Sequence, residues 1–107
     1  MIFRPKLVRD RIPEIIRKNG TPCEFVTMDD TEYCKRLCDK MREELEEFSL
    51  EPSVEEAADI YEVFLAMLEA WGYSLADVIQ EADWKRSERG GFRGKILLKK
   101  IGNECNL

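Results

Sequence analysis

Residues 43–59, EELEEFSLEPSVEEAAD, carry two acidic patterns on either side of a break in helical sequence. The first pattern, E-E-x-x-E, runs from Glu43 to Glu47, and the second, E-x-x-D, runs from Glu56 to Asp59. The proline and the serines between them favour a turn between two helices. Residues three apart lie on one face of a helix, so each pattern presents paired carboxylates. The stretch therefore predicts a helical hairpin with acidic side chains near its turn.

The spacing of the two patterns predicts which carboxylates face one another. In an antiparallel hairpin, residues at equal height have numbers that add to the same total. This holds for Glu44 with Asp59 and for Glu47 with Glu56. Four facing carboxylates repel strongly unless cations lie between them. A hard cation with oxygen ligands, Mg²⁺ or Mn²⁺, fits this set, and the sequence therefore predicts a metal site.

Two simpler interpretations of these glutamates stay open. Acidic runs usually mark a solvated helix face, which describes Glu43 and Glu46 well. Glu56 also completes Ser53-x-x-Glu56, the pattern of a capping box at the start of a helix. Glu44 argues against a purely solvated role, because it lies on the apolar face of its helix, where an unpaired charge is costly.

The 107 residues suffice for one core, so we predict a single domain over residues 1–107. Apolar spacing and capping residues predict four helices, over about 10–18, 30–49, 53–71 and 74–88. Residues 23–27 and 95–98 are predicted to pair as a small two-stranded β element. The predicted fold class is therefore mainly all-α, a bundle built on a helical hairpin. The third helix is apolar on most sides, which predicts that a homodimer or homotetramer completes the bundle.

The net charge of −5 is unevenly distributed along the chain. Residues 1–28 carry a net charge of +3, residues 29–83 carry −13, and residues 84–107 carry +5. Nucleic-acid binding needs one continuous basic face, so we expect no nucleic-acid partner. The large aromatic residues are interpreted as core side chains rather than as platforms for bases: Trp71, Trp84 and Phe92. An acidic centre between basic ends suits a site with metal ions in the middle and phosphates at its edge.

Several features predict a cytoplasmic protein with no membrane partner. No run of about 18 apolar residues is present, and the N-terminus lacks the apolar region of a signal peptide. Of the four cysteines, Cys34 and Cys38 are four apart on a helix, which is poor geometry for a disulfide. No histidine is present to complete a typical zinc site. We therefore predict reduced, buried cysteines.

Basic side chains near the end of the fourth helix are candidates for binding phosphate. Lys85, Arg86 and Arg89 lie where the helix dipole alone also favours cations. The two glycines after Arg89 add backbone N–H groups that could cradle an anion. In the N-terminal run from Lys6 to Arg11, the simplest interpretation is an Asp–Arg pair at the surface.

The two acidic patterns on consecutive helices resemble those of the MazG-like all-α nucleoside triphosphate pyrophosphohydrolases. The blocks KLVRDRIPEIIRKNG, at 6–20, and ERGGFRGKI, at 88–96, resemble one small subgroup, labelled phosphoribosyl-ATP-pyrophosphohydrolase-like. The resemblance covers nearly the whole chain. One departure is the gap of eight residues between Glu47 and Glu56, which is short for the superfamily.

The resemblance implies an enzyme, a Mg²⁺-dependent hydrolase that cleaves a nucleoside triphosphate between the α and β phosphates. Its role would be the removal of abnormal nucleotides or a biosynthetic step. The metal ligands that it implies are the four that the hairpin register predicts: Glu44, Glu47, Glu56 and Asp59. Glu43, beside them, is the candidate to orient or deprotonate the attacking water, and Lys85, Arg86 and Arg89 are the candidates to meet the phosphates. The alternative is a helical module that binds a nucleotide or a partner without hydrolysing it.

Overall fold

The structure, a computed structural model, describes residues 3–103. The secondary-structure elements of these residues are α-helices. The helices are α1 (Ile12–Lys18), α2 (Asp30–Leu50), α3 (Val54–Trp71) and α4 (Leu75–Arg89). The predicted all-α class is confirmed, and each predicted helix end lies within two residues of the observed one. The chain divides into two compact units, one running to Ser74 and one beginning at Leu75. The single domain over residues 1–107 stays a prediction.

Capping residues fix the ends of α2 and α3. Asp29 Oδ1 accepts a hydrogen bond from Glu32 N–H at 2.9 Å, which starts α2. Ser53 Oγ accepts one from Glu56 N–H at 3.0 Å, which starts α3 after a connection of only three residues. Gly72 ends α3 with φ at 78°, a left-handed conformation that glycine adopts without strain. So short a connection makes α2 and α3 an antiparallel hairpin.

The hairpin encloses a small core. Within residues 3–103, the buried hydrophobic side chains are Leu37 of α2, 1% exposed, and Val63 of α3, 9% exposed. Glu44, two helical turns after Leu37 on α2, is also buried, with 6% of its surface exposed. The prediction that three aromatic residues belong to the core is wrong for the single chain. All three are exposed there: Trp71, Trp84 and Phe92. A core of this size supplies little hydrophobic stabilisation. The predicted oligomer would stabilise the fold further, because it would bury additional apolar surface.

The predicted two-stranded element is wrong for the part of the chain that the structure describes. Neither residues 23–27 nor residues 95–98 form a strand, and the two stretches belong to different compact units. Their apolar side chains, Val26 and Ile96 among them, are exposed. An isolated pair of short strands is marginal in water unless it covers a hydrophobic face, so β propensity alone does not form it.

Free thiols occur at Cys23, Cys34 and Cys38, and each is half-buried rather than fully buried as predicted. Cys105 lies outside the described residues. Among the four helices, none combines the length and the apolar character needed to cross a membrane.

Candidate metal centre

Three carboxylates meet near the turn of the α2–α3 hairpin. Glu44 comes from α2, and Glu56 and Asp59 come from the first two turns of α3. One oxygen of each lies within 4.8 Å of the others, so the group could hold a metal ion. These three residues are the acidic cluster.

Local sequence explains why these side chains converge. Glu44 follows the buried Leu37 by seven residues, which is two helical turns, so both lie on the face that packs against α3. The Ser53 cap fixes the first turn of α3 and with it the position of Glu56. Asp59 follows Glu56 by three residues and therefore shares its face.

Two basic side chains partly offset the charge of the acidic cluster. Two like charges about 4 Å apart repel by about 4 kcal/mol near a protein surface. Lys40 Nζ lies 3.3 Å from Glu44 Oε1, and Arg9 Nη2 donates a hydrogen bond to Asp59 Oδ1 at 2.8 Å. Lys40 is shared with a neighbouring carboxylate on α2, so the two cations leave net negative charge at the site.

Two oxygens of the acidic cluster are buried and accept no hydrogen bond from residues 3–103. They are Oε2 of Glu44 and Oε2 of Glu56. Buried polar atoms in folded proteins nearly always have a partner, and a carboxylate oxygen without one destabilises the fold. Carboxylate oxygens are also the ligands that hard cations prefer. The unpartnered atoms and the all-oxygen donor set therefore fit a metal ion.

The surroundings of Glu44 and Glu56 raise the pKa values of both carboxyl groups. Burial raises the pKa of Glu44, and the charges of Glu47 and Asp59 raise it further, while Lys40 acts in the opposite direction. Burial also raises the pKa of Glu56, followed by the charges of Asp59 and Glu44. A nearby cation favours the ionised forms, so protons and a metal ion compete for these oxygens.

The structure gathers three of the four predicted ligands. Glu47 is exposed and lies outside the acidic cluster, although its charge acts on Glu44. Equal height in a hairpin does not fix the direction in which a side chain points. The capping interpretation accounts for the N–H of Glu56, which binds Ser53, but not for its buried and unpartnered carboxylate oxygen.

Glu43, the candidate catalytic residue, lies beside the cluster on α2. It is half-buried, 3.8 Å from Lys6 Nζ and 3.5 Å from Lys40 Nζ. Two cations therefore lie within ion-pair distance of the Glu43 carboxylate. The water-activating role of Glu43 stays a prediction.

The candidate phosphate-binding residues belong to α4 and to the second compact unit. Lys85, Arg86 and Arg89 are all exposed. Arg86 Nη1 lies 3.3 Å from Asp83 Oδ1, and the Arg89 guanidinium lies 6.0 Å from the centre of the Trp84 ring. Their binding of phosphate stays a prediction.

Sequence reasoning missed the two cations that contact the cluster. Lys40 precedes Glu44 by four residues, a helical spacing that favours an ion pair and could have revealed it. Arg9 is 50 residues away from Asp59, and no local pattern connects them. The surface Asp–Arg pair predicted for the N-terminal run is wrong for Arg9, which pairs with Asp59 instead.

No family model, no curated protein and no solved structure matches this chain. The resemblance to the MazG-like enzymes therefore stays a prediction from the sequence motifs.

Proposed function

We propose that this protein is a Mg²⁺-dependent nucleotide pyrophosphohydrolase. Its reaction would cleave a nucleoside triphosphate, or a related nucleotide, between the α and β phosphates to give a monophosphate and pyrophosphate. The observation that carries the proposal is Oε2 of Glu44, which is buried among carboxylates with no hydrogen-bond partner in residues 3–103. A purely structural helix pair gains nothing from such an atom. The reaction type is inferred from the resemblance of the acidic motifs to those of the MazG-like enzymes.

Glu44, Glu56 and Asp59 would hold the cation, and Glu47 becomes a fourth ligand if its side chain rotates toward them. The oxygen-only donor set favours Mg²⁺ or Mn²⁺ over softer metals. The bound metal would supply charge neutralisation for the triphosphate and a lowered pKa for the attacking water.

The remaining roles belong to neighbouring side chains. Glu43 is held beside the cluster by Lys6 and Lys40, and we assign it the orientation or deprotonation of water. Basic groups would meet the charge that develops on the phosphoryl oxygens. The sequence candidates for this task are on α4: Lys85, Arg86 and Arg89.

The first test is pyrophosphate release from a nucleotide panel with Mg²⁺ and with EDTA. The panel holds canonical and modified triphosphates, dUTP and phosphoribosyl-ATP. We expect release that requires Mg²⁺, is lost in Glu44→Gln and is retained in Glu46→Gln, which changes an exposed acid on the same helix. No pyrophosphate release from any nucleotide of the panel, together with no Mg²⁺ binding by calorimetry, would overturn the proposal. Mg²⁺ binding without release would favour the non-catalytic nucleotide- or partner-binding module.

Exposed apolar side chains of α3 support self-association as part of the proposal. Val54, Tyr61 and Trp71 of this helix are exposed in the single chain, whose own core is small. We expect a homodimer or homotetramer with α3 at the interface. Light scattering should show it at micromolar concentration, and Tyr61→Glu should dissociate it while Glu62→Gln does not. A monomer at that concentration would contradict this expectation.

A further inference from the structure

The N-terminal segment, residues 3–11, lies against α2 beside the acidic cluster. Arg36 Nη1 of α2 donates a hydrogen bond to Pro5 O at 3.3 Å. Lys6 Nζ lies 3.8 Å from Glu43 Oε1. Two independent contacts therefore hold the segment in place before it reaches α1.

Arg9 is the cation that reaches the acidic cluster from this segment. Its Nη2 donates a hydrogen bond to Asp59 Oδ1 at 2.8 Å, and its side chain is 55% exposed. A guanidinium has five N–H donors in a rigid fork. Within residues 3–103, Arg9 uses one of them in this bond, and its other guanidinium donors have no hydrogen-bond partner there.

Arg9 and a divalent cation require the same carboxylate. Asp59 belongs to the group of oxygens that could hold a metal ion, and it is also the partner of Arg9. With a cation at the cluster, the attraction between Asp59 and Arg9 weakens and the two positive charges repel. The contacts of Lys6 and Arg36 lie outside the cluster, so they keep Arg9 within reach of the site.

A phosphate group is the ligand that suits a guanidinium in that position. Its oxygens match the donor fork and accept two parallel hydrogen bonds, which a lysine cannot offer in the same way. A polyphosphate that binds a metal at the acidic cluster would also bring negative charge to Arg9, replacing the charge of Asp59.

We infer that Arg9 exchanges partners: it binds Asp59 in the metal-free protein and a substrate phosphate once the acidic cluster holds a divalent cation. The inference rests on the proposed function, because its ligand is a metal-bound polyphosphate. It assigns a phosphate-binding residue to the first compact unit, in addition to the candidates on α4.

The first arm of the test is Mg²⁺ binding alone, measured by calorimetry on the full chain. Arg9→Gln removes the competing cation, so we expect Mg²⁺ to bind about threefold more tightly, the scale of one partly exposed ion pair. Arg11→Gln is the matched control, because Arg11 lies in the same segment and makes no ion pair with residues 3–103. Circular dichroism establishes that both variants fold. Unchanged or weaker Mg²⁺ binding by Arg9→Gln would overturn the exchange.

The second arm is the binding of inorganic tripolyphosphate at saturating Mg²⁺. We expect Arg9→Gln to bind it about 10-fold more weakly, because a charge-assisted pair of hydrogen bonds is lost. Arg9→Lys should recover part of that loss, and Arg11→Gln should match the wild type. Equal affinity of Arg9→Gln and the wild type would overturn the inference.

The two arms distinguish this inference from the proposed function. A wild-type protein that neither binds Mg²⁺ nor releases pyrophosphate would remove the proposed function, and the inference with it. A wild-type protein that does both, beside an Arg9→Gln variant that binds Mg²⁺ and tripolyphosphate as the wild type does, would remove the inference alone.

Discussion

The acidic cluster of the α2–α3 hairpin and the basic side chains of α4 are both charged groups at helical spacing, yet their surroundings differ. Glu44 is buried, and a buried oxygen on it has no hydrogen-bond partner in residues 3–103. Arg86 and Arg89 are exposed and lie near an acid and an aromatic ring of their own helix. An exposed charge needs no explanation beyond solvation, whereas a buried one does. Burial therefore distinguishes an acid that is placed for a metal ion from one that is merely solvated.

The largest effect that this comparison predicts is the loss of metal binding from the cluster. Glu56→Gln or Asp59→Asn should weaken Mg²⁺ binding by about 100-fold or more, since outer-shell changes alone cost about 10- to 100-fold. Glu55→Gln, an exposed neighbour on α3, should change it less than about twofold. Calorimetry on the three variants measures this, and equal behaviour of all three would remove the distinction between the acids of the cluster and an exposed acid beside it.

Glu47 sharpens the comparison because it is a predicted ligand that is exposed. Glu47→Gln should cost about 10-fold or less in Mg²⁺ affinity, the scale of an indirect contribution to a metal site. The same calorimetric titration measures the Mg²⁺ affinity of this variant. A loss as large as that of Glu56→Gln would show that Glu47 turns inward and completes the set of four.

The α4 cations should give a smaller effect of a different kind. In the proposed enzyme, Arg86→Gln combined with Arg89→Gln should raise KM by about 10-fold, or about 1.4 kcal/mol, with Mg²⁺ affinity unchanged. Steady-state pyrophosphate release measures KM and kcat separately. Arg93→Gln, in the exposed loop after α4, is the control. An unchanged KM in the double variant would leave these residues with no part in phosphate binding.

The smallest effect concerns stability without metal. The folded-state pKa of Glu44 is raised above its ordinary 4.5, so the folded protein holds a proton there more tightly than the unfolded chain. The contribution of Glu44 to the free energy of unfolding therefore falls as pH rises from the ordinary pKa through the raised pKa of the folded state. In EDTA at about pH 7, Glu44→Gln should raise Tm by a few degrees, given about 4–8 °C per kcal/mol in a chain of this size. The gain should vanish below the ordinary pKa of 4.5, where the carboxyl is protonated in both the folded and the unfolded states.

Thermal melting followed by circular dichroism measures this difference. Saturating Mg²⁺ should reverse the order, because only the wild type then gains stability by binding. A Glu44→Gln variant that is less stable at every pH would indicate that the carboxylate stabilises the hairpin through Lys40 instead.

Local signals in the sequence sufficed for the helices and for most of the acidic cluster. The Asp29 and Ser53 caps and Gly72 are short-range features, and all three occur where their residue types favour them. The register of a tight hairpin also gives the heights of Glu44 and Asp59. It does not give rotation, which is why the exposure of Glu47 was not foreseen.

Long-range features escaped prediction for a physical reason. The Arg9–Asp59 pair joins residues 50 positions apart, and its formation depends on how the N-terminal segment lies on α2. The two β-prone stretches show the opposite failure: local propensity was present, but neither stretch forms a strand.

The three-residue connection between α2 and α3 has a consequence for how the site forms during folding. All three carboxylates of the acidic cluster lie between residues 44 and 59, so closing the loop between them costs little chain entropy. Contacts that are close in sequence form early in folding, and those distant in sequence form later. We expect the acids to meet as soon as the two helices pair, and Arg9 to arrive afterwards. The cluster is thus a contiguous piece of chain that a nascent protein could assemble before its last residues are made.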